Sequence, residues 1–277
     1  VPPSEAAARC RGVVQIYHAA SGDVHALRGI DADFMPGSVT AIVGPSGSGK
    51  TTLMRILSLT ERPTGGDVTI AGIDTQSASA REIRGLRRSV LAIVSQRATH
   101  NLYPHLTVAE HVLLGALQRD ADAAAVEPAI EAVRLGGRRD ARPGSLSGGE
   151  QQRLAVAMAT VGEPRLVLAD EPTAELDPAT ASEVVELLRA SAAGGAAVVV
   201  NTHDHAVADA ADRVLALHHG TLHSERREGT ATVAVIDSVG RVQLPPDLLN
   251  AFPELRAEIR YEDGRVILTP PELGDDG

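Results

Sequence analysis

Short apolar runs at residues 39–43, 90–94, 166–169 and 197–200 alternate along the chain with stretches of helical period. Runs of that length, apolar at consecutive positions, read as strands buried on both faces, with the helical stretches as crossovers. The pattern predicts an α/β domain on a parallel sheet. An amphipathic helix is expected at Leu53 to Leu59. Between Gln96 and Ser147 the period turns helical, opening at Thr107-Val108-Ala109-Glu110, where Thr and Glu three apart suit a capping box. A helical insertion is therefore expected over residues 97–160, with the Ala/Asp-rich piece 120–125 a loop or frayed helix within it. After Gly220 the pattern becomes one of short strands, at 231–236 and 241–244, then a helix at 246–252 and a hairpin about Glu262-Asp263-Gly264. This change places a boundary near Arg227: residues 1–227 form the large domain, and 228–277 a small, mainly β one whose last residues, 274–277, are expected to be mobile.

A chain of 277 residues can bury the core that such a plan needs. Its formal net charge of -10 opposes broad attraction to nucleic acid or anionic lipid, which leaves a nucleotide and other proteins as default partners. Cys10, the single cysteine, excludes an intramolecular disulfide and a thiolate metal site, and fits a reducing cytosol. The apolar runs are too short to cross a bilayer, and Val1 to Gly12 lacks the basic-then-apolar layout of a signal peptide. Membrane attachment would come through a partner. Val1 in place of Met is what a trimmed start would give.

The candidate chemistry lies where the strands end. Gly44-Pro45-Ser46-Gly47-Ser48-Gly49-Lys50-Thr51-Thr52 follows the first apolar run and precedes a helix, the setting of a phosphate loop. Its glycines let backbone N–H groups approach phosphate oxygens at a helix N-terminus. Lys50 is expected to reach the β- and γ-phosphates, and Thr51 to hold Mg²⁺. Asp170 and Glu171 end another apolar run, at the sheet edge where ligands bind. Alone, such a pair is more often a helix cap or a solvated turn; beside a phosphate loop, Asp170 suits a water-mediated Mg²⁺ contact and Glu171 the base for attack on the γ-phosphate. Gln96 and His203 also follow apolar runs. Gln96 could touch Mg²⁺ and the attacking water, His203 the γ-phosphate, although in isolation Gln96 reads as a polar loop residue and a lone His as a structural one. The other histidines (18, 25, 100, 105, 111, 205, 218, 219 and 223) have no ligand spacing.

Ser147-Gly148-Gly149-Glu150 has capping-box spacing and opens a helix whose N-terminus is an anion-binding end with no phosphate loop beside it in sequence. If the γ-phosphate held by a second copy docks there, ATP becomes the adhesive between subunits. Asp177-Pro178 reads as the N-cap and first turn of the next helix.

With these motifs in place, residues 13–220 resemble the nucleotide-binding subunits of ABC transporters. In that likeness residues 44–52 are the Walker A loop, Gln96 the Q-loop, Leu146 to Arg153 the signature, Leu166 to Glu171 Walker B, Glu175-Leu176-Asp177 the D-loop and His203 the switch histidine. Tyr17 matches the family's adenine-stacking aromatic. The resemblance implies an ATPase with ATP and Mg²⁺ in two sites of a homodimer, sitting on the cytoplasmic side of the cell membrane under a permease. The phrases His25-Ala26-Leu27-Arg28-Gly29, Leu102 to Thr107 and Leu168 to Thr173 look most like the macrolide-export, lipoprotein-releasing and cell-division branch, which implies a permease with few spans met by residues 97–106. Met158 departs from the Arg that relatives commonly carry there. Residues 232–270, above all Ile236 to Pro245, are similar to the swapped-hairpin domain of AbrB-like regulators, which implies a dimer that often binds DNA. Four arginines (241, 256, 260, 265) face six carboxylates (237, 247, 254, 258, 262, 263) there, which favours dimerisation over reading DNA. The alternative is a soluble ABC ATPase whose C-terminal domain regulates or binds DNA; such proteins commonly have two cassettes or a coiled-coil insertion, and here there is one cassette without sustained heptads.

Overall fold

In the computed structural model, which describes residues 5–19, 22–227, 229–230, 233–236, 242, 252, 256–262 and 265–270, all four apolar runs become strands of one sheet. The chain opens with β1 (Ala8–Ala19), β2 (Gly22–Phe34) and β3 (Ser38–Val43), then α1 (Lys50–Leu57). β4 (Gly65–Ile70), β5 (Ile73–Asp74), α2 (Ala80–Gly85) and a π-helical turn at Leu86–Val90 lead to β6 (Leu91–Val94). Three helices follow, α3 (Val108–Gln118), α4 (Val126–Ala132) and α5 (Gly148–Thr160). Strands and helices then alternate: β7 (Leu166–Asp170), α6 (Pro178–Ala193), β8 (Ala197–Asn201), α7 (His205–Asp209), β9 (Arg213–His218) and β10 (Thr221–Arg227). The last elements are β11 (Val233–Ala234), β12 (Glu258–Glu262) and β13 (Arg265–Thr269).

The main sheet runs β11-β10-β9-β3-β8-β7-β6, parallel from β9 to β6 and antiparallel at β10 and β11. Its parallel part is covered on both faces, as continuous apolar strands require. Ala197 and Val199 of β8 enter a cluster with Phe34, Leu53 and Ile56, whereas Val198 and Val200 enter a second with Val184 and Leu188 of α6. A third cluster, including Val108, Val112, Ile130, Leu135 and Leu154, is the core of the helical insertion.

Helix starts follow the side-chain chemistry. Thr107 and Ser147 each cap a helix in a reciprocal box with the Glu three residues on, and Asp177 caps α6 through Ala179 and Thr180 with Pro178 at the first turn. α1 begins at Lys50, earlier than the amphipathic run indicates, and stops at Leu57, with Leu59 at φ +59°.

A second, antiparallel sheet, β2-β1-β4-β5, is absent from the sequence reading. Register shifts in β1 at Cys10/Val13, Val13/Val14 and Gln15/Ile16 break its alternation, and the first half of β2 is exposed, so neither strand presents a clean period. Beyond Arg227, β11 pairs with β10, and Val235 donates its N–H to His223 O at 3.1 Å. The expected hairpin about 262–264 is present as β12 paired with β13. The strand expected at 241–244, the helix at 246–252 and the tail lie largely or wholly outside the described residues.

Candidate functional site

Because β3, β8, β7 and β6 are parallel neighbours, the segments that follow them leave the sheet at one edge. Asn201 pairs with both Ile42 and Asp170, and Val94 with Ala169, so the registers align the four exits. Residues 44–52, Gln96, Glu171 and His203 are thereby brought to a common rim.

The loop after β3 is shaped so that only glycine fits at two points. Gly44 has φ +148°, and a Cβ there would lie 2.1 Å from Leu217 O; Gly49 has φ +106°, and a Cβ would lie 2.5 Å from Ala26 O. Lys50 Nζ folds over the loop, donating to Gly44 O at 2.7 Å and Pro45 O at 3.0 Å. The Ser48 hydroxyl is buried with no hydrogen-bond partner, a spare donor inside the cradle. Pro45, Ser46, Gly47 and Thr51 are exposed and Thr52 half-buried, with the α1 N-terminus at their back. Free N–H groups, an ammonium and an orphan hydroxyl form a donor set suited to phosphate.

Asp170 and Glu171 differ in their supports. Asp170 Oδ1 accepts from Asn201 Nδ2 at 2.5 Å. Glu171 takes a left-handed backbone, φ +48°, which costs about 1–2 kcal/mol for an L-residue, and its N–H is held by Asn201 O at 2.9 Å. That turn aims its carboxylate at the next exit: His203 Nδ1 lies 2.8 Å from Glu171 Oε2, and His203 N 3.4 Å from the same oxygen. The hydrogen bond and the charge of Glu171 raise the His203 pKa above its ordinary value, with Lys50 opposing the shift. Gln96 is exposed on a segment pinned from both sides, since Ser95 N–H donates to Asn101 Oδ1 (2.9 Å) and Ser95 O accepts from Gln152 Nε2 (3.2 Å).

Ser147, Gly148 and Gly149 stand apart, at the α5 N-terminus in the helical insertion. Ser147 Oγ accepts from Glu150 N at 3.3 Å and Glu150 Oε2 from Ser147 N at 2.8 Å, leaving Ser147 and Gly148 exposed. Among the described residues no hydrogen bond or ion pair joins 147–149 to 44–52. Gly149 packs on α6 so closely that a Cβ would lie 2.4 Å from Thr180 Cγ2, and Thr180 Oγ1 is itself held by Asp177 Oδ2 at 2.6 Å. The serine-glycine turn and the Asp177 cap are thus one packed unit. Tyr17 is half-buried, its hydroxyl donating to Glu61 Oε2 at 2.5 Å.

Three supporting residues escape the sequence reading: Asn201, Thr180 and Glu61. Of these only Asn201 leaves a trace, a polar side chain closing an otherwise apolar run.

Comparison with known proteins agrees with this geometry. A family model described as ABC transporter matches residues 27–174. Over 222 residues the chain is 40% identical to a lipoprotein-releasing system ATP-binding protein, LolD 2, of Caulobacter vibrioides, covering 78% of this chain and 96% of that one. It is 39% identical over 225 residues to the macrolide export ATP-binding/permease protein MacB 1/2 of Paracoccus denitrificans, with 80% of this chain but 33% of that longer protein aligned. The dimeric post-hydrolysis state of the ATP-binding cassette MJ0796, bound to ADP and Pi, matches with a TM-score of 0.72 and 30% identity, over 81% of this chain and 100% of that one.

Proposed function

The chain belongs to the ABC transporter family and is an ATPase of it, and from that premise we propose that it powers a separate membrane permease by closing and opening as a homodimer on ATP. The observation that carries this reading is the meeting, at one sheet edge, of the Lys50 loop, Asp170 and the Glu171–His203 pair.

In this mechanism Lys50 leaves the carbonyls of Gly44 and Pro45 for the β- and γ-phosphates, and residues 44–52 enclose them with N–H groups. Thr51, Asp170 and Gln96 present oxygen donors only, a set that fits Mg²⁺, which offsets phosphate charge when bound. Glu171 orients the attacking water and takes its proton. His203 holds the Glu171 carboxylate through Nδ1 and keeps Nε2 for the γ-phosphate side. Tyr17, steadied by Glu61, stacks on the adenine.

The other half of each site comes from the second copy. Ser147, Gly148 and Gly149 offer an exposed helix N-terminus to the γ-phosphate bound in the partner, with Asp177 alongside. The dimeric state named for the MJ0796 cassette supports this arrangement. ATP then joins the subunits and hydrolysis releases them.

Two surfaces remain for partners. Residues 97–106 form the permease-facing face, on the cytoplasmic side; His111 stiffens it, accepting from Tyr103 N at 2.8 Å and bonding Thr107 O at 2.7 Å. The permease is read as another polypeptide by likeness to the LolD relative, which is named as the ATP-binding protein of a lipoprotein-releasing system. Residues 228–277 act as a small dimerising domain rather than a DNA reader: Ile259 and Tyr261 of the β12–β13 hairpin are 73% and 76% exposed, and a lone hairpin is only marginally stable without a partner.

The test is a crosslink. Cys10 is buried, which pushes its thiol up to about 12, so it stays silent. A Ser46→Cys chain mixed with a Ser147→Cys chain should form a mixed disulfide dimer with ATP present and not without it. Failure to crosslink with trapped nucleotide would overturn the shared site.

A further inference from the structure

We propose that Asn201 is a positioning residue for the acidic pair, its side-chain amide setting the Asp170 carboxylate toward the cation while its main-chain carbonyl sets the turn of Glu171. This rests on the ATPase reading above and extends it to a residue outside the recognised motifs.

Asn201 is the last residue of β8 and is 2% exposed. Its Nδ2 donates to Asp170 Oδ1 at 2.5 Å, its carbonyl accepts from Glu171 N at 2.9 Å, and its Oδ1 is buried with no partner. The strand itself has no need of an amide here. Val198, Val199 and Val200 precede it, and a further valine would suit the pleat without burying polar atoms. An asparagine at this place, its buried Oδ1 unmet, carries a desolvation cost that its bond to Asp170 must offset. The orientation of the amide follows from chemistry, since the reverse flip would set two acceptors against each other. With Oδ1 of Asp170 tied to β8, the second carboxylate oxygen is the one left to meet the cation or its water. Because both bonds come from one residue, the spacing between cation ligand and base is fixed across the β7–β8 register rather than by their own flexible side chains.

Asn201→Val and Asn201→Thr test this in the full chain, since the two side chains share a shape and differ in one hydroxyl donor. Mn²⁺ is the probe, read by electron paramagnetic resonance in the presence of a non-hydrolysable ATP analogue. Asn201→Val should weaken Mn²⁺ binding about tenfold, as for a carboxylate that must now be ordered on binding, and Asn201→Thr should recover most of it. Binding of a fluorescent ATP analogue in EDTA should be unchanged in both, and the melting temperature of the valine variant should equal or exceed the parent's. Asn201→Ala gives the same reading by a second route. Parental Mn²⁺ affinity in the valine and alanine variants, or an equal loss in valine and threonine, would overturn the positioning role. A parent protein that does not hydrolyse ATP sinks the underlying reading and this role with it, whereas an active parent with an indifferent Asn201 sinks this role alone.

Discussion

His203 and Glu171 are joined through Nδ1 and Oε2 at 2.8 Å, across the exits of two neighbouring strands. The proposed base is therefore held by a residue 32 positions further along the chain, and neither can be repositioned alone. Glu171→Gln keeps the shape and removes the proton acceptor. Turnover should fall by about 10²-fold or more, and an ATP-bound dimer should accumulate on size exclusion. Unchanged turnover would remove Glu171 from the role of base.

The same contact makes a prediction about pH. The His203 pKa is raised above 6.5, first by its hydrogen bond to Glu171 and then by the carboxylate charge. A raised folded-state pKa means that the imidazolium favours the folded protein below the unfolded value, and that this contribution is lost as the pH rises through the folded one. With His203 74% exposed, solvent screening keeps the contribution small. Proton-detected titration of the ring should show the elevated pKa in the nucleotide-free protein. In Glu171→Gln it should return towards 6.5; a ring indifferent to that change would dissolve the pair.

His111 has the opposite sign. It is buried, both ring nitrogens are engaged, and burial lowers its pKa below 6.5. Neutral His111 supports a stability that is complete above the unfolded value and is lost as the pH falls through the lower folded value. His111→Ala, which strands the Tyr103 N–H, should cost about 1–3 kcal/mol in chemical denaturation. It should also flatten the acid limb of the stability profile; a variant as acid-sensitive as the parent would refute that origin.

Gly149 and Thr180 form a pair that a double-mutant cycle can read. Gly149→Ala should favour a helix on propensity, yet its Cβ would meet Thr180 Cγ2 at 2.4 Å. Turning the threonine away breaks its 2.6 Å bond to Asp177. The single variant should therefore lose about 1–3 kcal/mol and most ATP-dependent dimerisation. Thr180→Ser, lacking the methyl group, should rescue it in the double variant; additive losses would contradict the contact.

Lys50→Ala removes the ammonium from the phosphate loop while leaving its glycines in place. Nucleotide affinity should drop by about two orders of magnitude, as for two charge-assisted contacts. Isothermal titration with ATP checks it, and retained affinity would shift phosphate binding to the N–H groups alone.

Legibility in the sequence followed contiguity. The phosphate loop, the Asp170-Glu171 pair and the Ser147 turn could be read because each chemistry needs neighbouring residues at set intervals, and the buried strands because their apolar runs are unbroken. Asn201, Thr180 and Glu61 could not, because each acts on a residue far away in sequence, through strand register or helix contact that no local pattern encodes. The β1–β2 ribbon was hidden for another reason: its register shifts break the alternation by which a strand is recognised. Tyr17 is legible by resemblance alone, since it lies in β1 beyond a register shift and a single aromatic there has no periodic signature.

The strand order β3-β8-β7 has a consequence for biosynthesis. β8 is made after both strands it separates, and it brings Asn201 and His203 with it. While the ribosome is still short of that segment, the nascent chain carries a lysine loop and an acidic pair on strands that lack the neighbour between them. The Asn201 and His203 contacts to the acidic pair therefore form only after β8 has been made, so this edge of the sheet is completed late.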